Sequence, residues 1–146
     1  GEDSADNRIY VRAGLLFAAI QLEQWDEAEA QSAAADREAA ALPADHPSRL
    51  NLLRSQATLL QTRGDPERAV AKLREALRIA EATKSTGNSS SAGIHNDLGV
   101  ALNDLGRYKE ALVHLEASLR LNAAMQGEDS VGVAHLKANL GALYEN

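Results

Sequence analysis

One stretch of this chain recurs every 42 residues, and that period restricts the fold more than any other feature of the sequence. Gly64 precedes Gly106, Ala69 precedes Ala111, Leu73 precedes Leu115 and Leu77 precedes Leu119, each by 42 residues. Leu98-Gly99 returns as Leu140-Gly141 at the same interval. A more degenerate first unit is offset by 41, with Trp25 in the place of Tyr108, Ala28 in that of Ala111 and Leu22 in that of Leu105. A repeat of this length is one supersecondary unit that buries its apolar face only by stacking on its neighbours.

Each unit reads as two helices. Leu98, Ala101, Leu102 and Leu105 fall at helical spacing, and so do Ala111, Leu112, Leu115 and Leu119. Gly106 stands between them, where a left-handed residue stops the first helix. Gly64-Asp65-Pro66 does the same, with Asp65 as N-cap and Pro66 in the first helical position. Helices are expected near 5–23, 26–41, 47–63, 66–84, 91–105, 108–125 and 130–145. Small residues recur in register, Ala28, Ala69 and Ala111 on second helices and Ala57, Gly99 and Gly141 on first helices. They let paired helices approach while Leu73 and Leu115 fill the space beside them. The first unit departs, with Leu16 in place of the small residue, Ser32 in place of leucine, and Glu23-Gln24 where the turn glycine belongs. The stretch from Lys84 to Ser91 reads as a solvated loop by composition.

Composition agrees with an all-α fold. The 146 residues include 28 Ala and 21 Leu against 6 Val and 4 Ile, so strand formers are too scarce for an all-β or parallel α/β fold. There is no cysteine, which excludes disulfides and thiolate chemistry. No apolar run approaches the roughly 20 residues that span a bilayer, and residues 1–20 do not read as a basic-then-apolar secretory signal. A cytoplasmic setting is the expectation from these features. The net charge of −6 disfavours nonspecific nucleic-acid binding. A membrane partner is likewise not expected.

The repeat resembles the tetratricopeptide repeat (TPR). The residues that carry the likeness are Leu98-Gly99, Leu102, Gly106, Tyr108, Ala111 and Leu115, with Leu140-Gly141 and Tyr144 opening a fourth unit. The usual TPR period is about 34 residues. The longer period here is similar to the subclass typified by the kinesin light chain, and Asp45-His46-Pro47 and Gly127-Glu128-Asp129 resemble its connectors. The resemblance implies a right-handed superhelical array of antiparallel helix pairs, an α-solenoid of about seven helices. It would form one domain over 1–146, with units near 5–41, 47–84 and 91–125 and a partial or capping unit at 130–146. Leu140, Leu143 and Tyr144 would lack a second helix to cover them, so a fragment of a longer array is expected.

Chemistry-bearing motifs are absent. No phosphate loop, nucleophile elbow or dinucleotide fingerprint occurs, and an enzyme is not expected. His46, His95, His114 and His135 are dispersed. His95 and His135 lie on neighbouring first helices, but His95 reads as a packing residue and His46 as part of a helix start, so neither a metal nor a cofactor is expected. Arg63, Arg68, Lys72, Arg74, Arg78 and Lys84 make a basic run that reads as a solvated helix face with intrahelical pairs such as Glu67 with Lys72.

The function then rests on the concave surface, which the first helices line in the resembling family. Core periodicity leaves a polar stripe on these helices, from which Arg54, Thr58, Asn96, Val100, Asn103 and Asn139 form the expected peptide-binding groove. Side-chain amides both donate and accept, which suits an extended peptide backbone. Asp97 and Asp104 oppose the charge of Arg54, which favours a partner of mixed charge. In the first unit Tyr10, Ala13, Phe17 and Ile20 share a helical face, with Tyr10, Phe17 and Ile20 as an apolar anchor. A protein- or peptide-binding scaffold is the leading reading. The alternatives are a ligand- or peptide-sensing domain of a larger signalling or transcriptional regulator, and a self-associating module that forms a homo-oligomer.

Overall fold

The computed structural model describes residues 4–83, 87–127 and 130–144. These form seven α-helices: α1 (Ala5–Gln21), α2 (Trp25–Ala39), α3 (Arg49–Thr62), α4 (Pro66–Thr83), α5 (Gly87–Asp104), α6 (Tyr108–Gln126) and α7 (Val131–Tyr144). The fold is an all-α helical repeat array. Helices α1 and α2, α3 and α4, and α5 and α6 pack as pairs, while α1 on α3, α4 on α5 and α6 on α7 join successive units.

The helix ends follow from the residues that hold them. Ser4 Oγ accepts from Asn7 N at 3.3 Å, Asp65 Oδ1 from Arg68 N at 3.2 Å, and Ser130 Oγ from Val133 N at 3.2 Å, each capping a helix start. Three first helices stop in the same way. Gln24 N donates to Ala19 O, Asp65 N to Leu60 O and Arg107 N to Leu102 O, at 2.9, 2.8 and 2.9 Å. The residue before each donor has positive φ: Glu23 (57°), Gly64 (84°) and Gly106 (75°). The first unit therefore keeps the turn without the glycine. A left-handed conformation costs an L-residue roughly 1–2 kcal/mol, partly offset by glycine's larger unfolded-state entropy. Glu23→Gly is expected to stabilise the chain by about 1 kcal/mol in urea unfolding, with no change in the slope of the transition.

One expectation is corrected here. The stretch 84–91 read as a loop, yet Gly87–Ser91 belongs to α5, while residues 84–86 lie outside the described part. Ala92, Ile94 and Leu98 are buried, so packing nucleates this helix. Extension by a further turn is inexpensive once a nucleus exists, and tertiary packing overrides weak local propensity.

The core divides at the first unit. Ile9, Ala13, Leu16, Ala28 and Ala35 pack with Leu52 and Leu59 of α3, while Leu53, Leu73, Ile94, Leu98, Leu102 and Leu115 belong to a larger cluster through the later units. A side chain at Gly99 would collide with Leu115, and its Cβ would lie 3.3 Å from Ala111 O. The first unit exchanges these volumes: Leu16 is fully buried at the equivalent of Gly99, and Ser32 stands at the equivalent of Leu115. On the surface of that unit, Arg8 and Arg12 of α1 both bind Glu38 of α2 and hold its carboxyl below the usual range.

Candidate functional site

The first helices of successive units, α1, α3 and α5, border a groove of about 550 Å³. Its α1 wall carries Tyr10, Val11 and Phe17; α3 supplies Asn51, Arg54, Ser55 and Thr58; α5 supplies Asp97. Tyr10 and Phe17 are 71% and 52% exposed, although the chain holds one Phe and three Tyr in all. Large rings left in water on a concave wall need a reason, because each would contribute more if buried.

Ile20 does not join them. It is 5% exposed and lies in the core with Ile9, Ala13 and Leu16, at spacings of four, three and four along α1. Ala13 belongs to the same stripe, so the expected anchor face contracts to Tyr10 and Phe17. At about 100° per residue, two stripes a quarter-turn apart share intervals of three and four, and spacing alone cannot separate them.

Arg54 also differs from expectation. Its Nε donates to Asp97 Oδ2 at 2.9 Å, so two of the three charges expected to select a mixed-charge partner neutralise each other across α3 and α5, and Asp104 is left exposed at the end of α5. The guanidinium lies over Gly93, where an added Cβ would sit 2.7 Å from Arg54 Nη2. Gly93 is thus the residue that lets this bridge form, a role that residue type alone does not assign. The 43-residue separation, one repeat plus one, was the available signal, because residues about one period apart on first helices are neighbours.

Thr58 Oγ1 donates to Arg54 O at 3.1 Å, and the residue borders the groove. Asn96, Val100 and Asn103 follow at i, i+4 and i+7 on α5, with Val100 exposed. The Oδ1 atoms of Asn96 and Asn103 are screened from solvent and accept no hydrogen bond. A buried acceptor left unpaired costs about 1–3 kcal/mol. The side chain of Asn139, on α7, lies outside the described part.

His95 and His46 keep the packing and helix-start places expected of them, and His95 gains a ring partner on the second helix of its own unit. His95 meets His114 of α6, with Nδ1 atoms 2.9 Å apart and ring centroids 5.2 Å apart, while the side chain of His135 lies outside the described part. One ring must therefore carry the proton at Nδ1 and the other accept. His46 Nδ1 accepts from Ser48 N at 3.2 Å, just before α3. Among the described residues no three His, Asp or Glu converge on a metal position.

Burial lowers the pKa of both His95 and His114. Arg120 lowers that of His95 further while Glu81 opposes; His95 and Arg74 lower that of His114 while Glu110 opposes. A depressed folded pKa means that the unfolded chain binds protons more readily. This contribution to stability is fully present above the ordinary value near 6.5 and is lost as pH falls below it. Urea midpoints at pH 7.5 and 5.5 should therefore fall for the native chain, and the difference should shrink in His114→Gln. An equal drop in both proteins would remove the pair from the account.

In the basic run Arg68 pairs locally with Asp65, while Arg74 reaches the next unit. Arg74 Nη2 meets Glu110 Oε2 at 3.0 Å, and Glu67 accepts from Arg107 at 3.2 Å rather than pairing with Lys72. No described helix is long and apolar enough to cross a membrane.

No family model and no curated protein matches the chain. Solved structures do. A Podosopora anserina protein described as a kinesin light chain with nearly identical TPR-like repeats superposes with a TM-score of 0.87 at 22% identity, over 98% of this chain and 68% of that one. BtubC (BKLC) from P. vanneervenii superposes with a TM-score of 0.80 at 22% identity, over 97% of this chain and 56% of that one. The chain thus spans about two thirds and about half of those lengths. The likeness covers nearly every described helix and rests on shape, since so few residues are shared. The chain therefore folds as a TPR-like helical repeat array of the kind seen in these two solved structures.

Proposed function

We propose that this array is a non-enzymatic protein-interaction scaffold whose α1/α3/α5 groove holds an extended segment of a partner protein. The observation that carries the reading is the pair of solvated rings, Tyr10 and Phe17, on a wall of a groove of about 550 Å³. Binding energy in interfaces concentrates on aromatic anchors in such concave places. Asn96 and Asn103 belong to the proposed set through their register along α5, since their Oδ1 atoms are screened from solvent and neither residue borders the groove. Asn139 belongs to the proposed set on its register alone.

The Arg54–Asp97 bridge makes the groove nearly neutral, so the partner segment is apolar with a free backbone rather than strongly charged. Helical-repeat scaffolds bind through such extended concave surfaces. Selection of a displayed random-peptide library on the folded chain tests the reading. Enriched peptides should carry an apolar side chain and bind at least tenfold more weakly to the Tyr10→Ala, Phe17→Ala double variant by titration calorimetry. An Asn96→Ala, Asn103→Ala chain should lose a further fraction of affinity while remaining folded. Peptides that bind the double aromatic variant undiminished would move the binding surface elsewhere.

A further inference from the structure

Three positions that the later units fill with leucine are polar at the junction of the first two. Ser32 and Asp36 on α2 stand 41 residues before Leu73 and Leu77, and Gln56 on α3 stands 42 before Leu98. The three side chains meet. Gln56 Nε2 donates to Asp36 Oδ1 at 2.8 Å and to Ser32 Oγ at 3.1 Å. A carboxylate only accepts, so the amide nitrogen must face Asp36. That leaves Gln56 Oε1 without a partner in a residue that is 3% exposed. A core polar group with an unmet acceptor is a cost that leucine would avoid.

This trio borders a cleft of about 380 Å³ between α2 and α4, floored by α3. The cleft is separate from the groove of the first helices. Its α2 wall is acidic, through Glu29 and Asp36, and its α4 wall basic, through Arg68 and Lys72. Arg68 pairs with Asp65 beside its own wall, and among the described residues no ion pair crosses the cleft. Opposite charges face an open space of small-molecule size, above a buried acceptor.

We propose that this cleft binds a small zwitterion, a free α-amino acid. Its ammonium donates to Gln56 Oε1 and the Asp36 carboxylate, and its carboxylate faces Lys72 and Arg68. An ammonium supplies the donor that Gln56 Oε1 lacks and the positive charge that Asp36 favours. The opposed walls then set the ligand's direction, so removing either charge from the ligand removes binding.

Titration calorimetry of the twenty L-amino acids, one at a time, against the intact chain tests this. At least one should bind saturably and raise the unfolding midpoint, while its N-acetyl and carboxamide forms should each bind at least tenfold more weakly. Gln56→Leu restores the residue of the later units, so it should fold at least as stably and lose the binding. Lys72→Gln should weaken binding at least tenfold and leave the folded helical signal intact. The proposal is overturned if none of the twenty binds, if binding survives amidation or acetylation, or if Gln56→Leu binds as the native chain does.

Discussion

Truncating Leu115 to alanine is expected to remove about 3–5 kcal/mol of stability, the upper part of the range for buried leucines. The cost of such a change depends on how far the surroundings collapse. Leu115 is almost fully buried on α6, and its side chain occupies the space that Gly99 leaves open on α5. Gly99 has no side chain that could move inward, and Ala111 nearby is itself too small to fill the gap. The cavity therefore persists. The reciprocal change, Gly99→Ala, forces a methyl into Leu115 and the Ala111 carbonyl and should cost about 1–3 kcal/mol. In the double variant the new methyl enters the new cavity, so its cost should fall clearly below the sum of the two. Urea unfolding of the three variants by circular dichroism checks this. Strict additivity would mean that the two residues do not share one space.

That pair also shows what the sequence makes legible. The period, the turn positions and the small residues follow from residue type alone, because volume must be conserved at each helix crossing. Gly99 with Leu115, Ala57 with Leu73, and Leu16 with Ser32 are three solutions to one packing problem, and the exchange in the first unit is visible as a departure from register. The site was less legible. Ile20 was misassigned because core and groove stripes on α1 share their spacing. The Arg54–Asp97 bridge depends on a distance between two units, which periodicity places only approximately. Asp36 and Gln56 are ordinary surface residue types, and only their common replacement of leucine sets them apart.

The connection between the first and second units should fail when Arg49 is truncated. Arg49 opens α3, yet its side chain turns back. Nη2 donates to Ala39 O at 2.6 Å and to Leu42 O at 3.1 Å, and Nε donates to Pro43 O at 3.0 Å. Ala39 is the last residue of α2, where the dipole is negative, and its carbonyl also accepts from Leu42 N at 3.0 Å. A cation at the start of α3 opposes that helix's own dipole, so the gain lies with α2 and the connector. Hydrogen bonds from a charged donor contribute about 1.5–3 kcal/mol each at most and are not additive, so Arg49→Ala is expected to cost about 2–3 kcal/mol in all. For a chain of this size that lowers the thermal midpoint by roughly 4–10 °C. Arg49→Lys should recover less than half, because an ammonium keeps the charge but cannot fork across three carbonyls. The loss should be local. Amide exchange should speed up in α1 and α2, whose core cluster touches the rest mainly through Leu52 and Leu59, and stay slow in α5 and α6. Exchange that accelerates equally in α5 and α6 would show that the array unfolds as one cooperative unit and that Arg49 does not divide it.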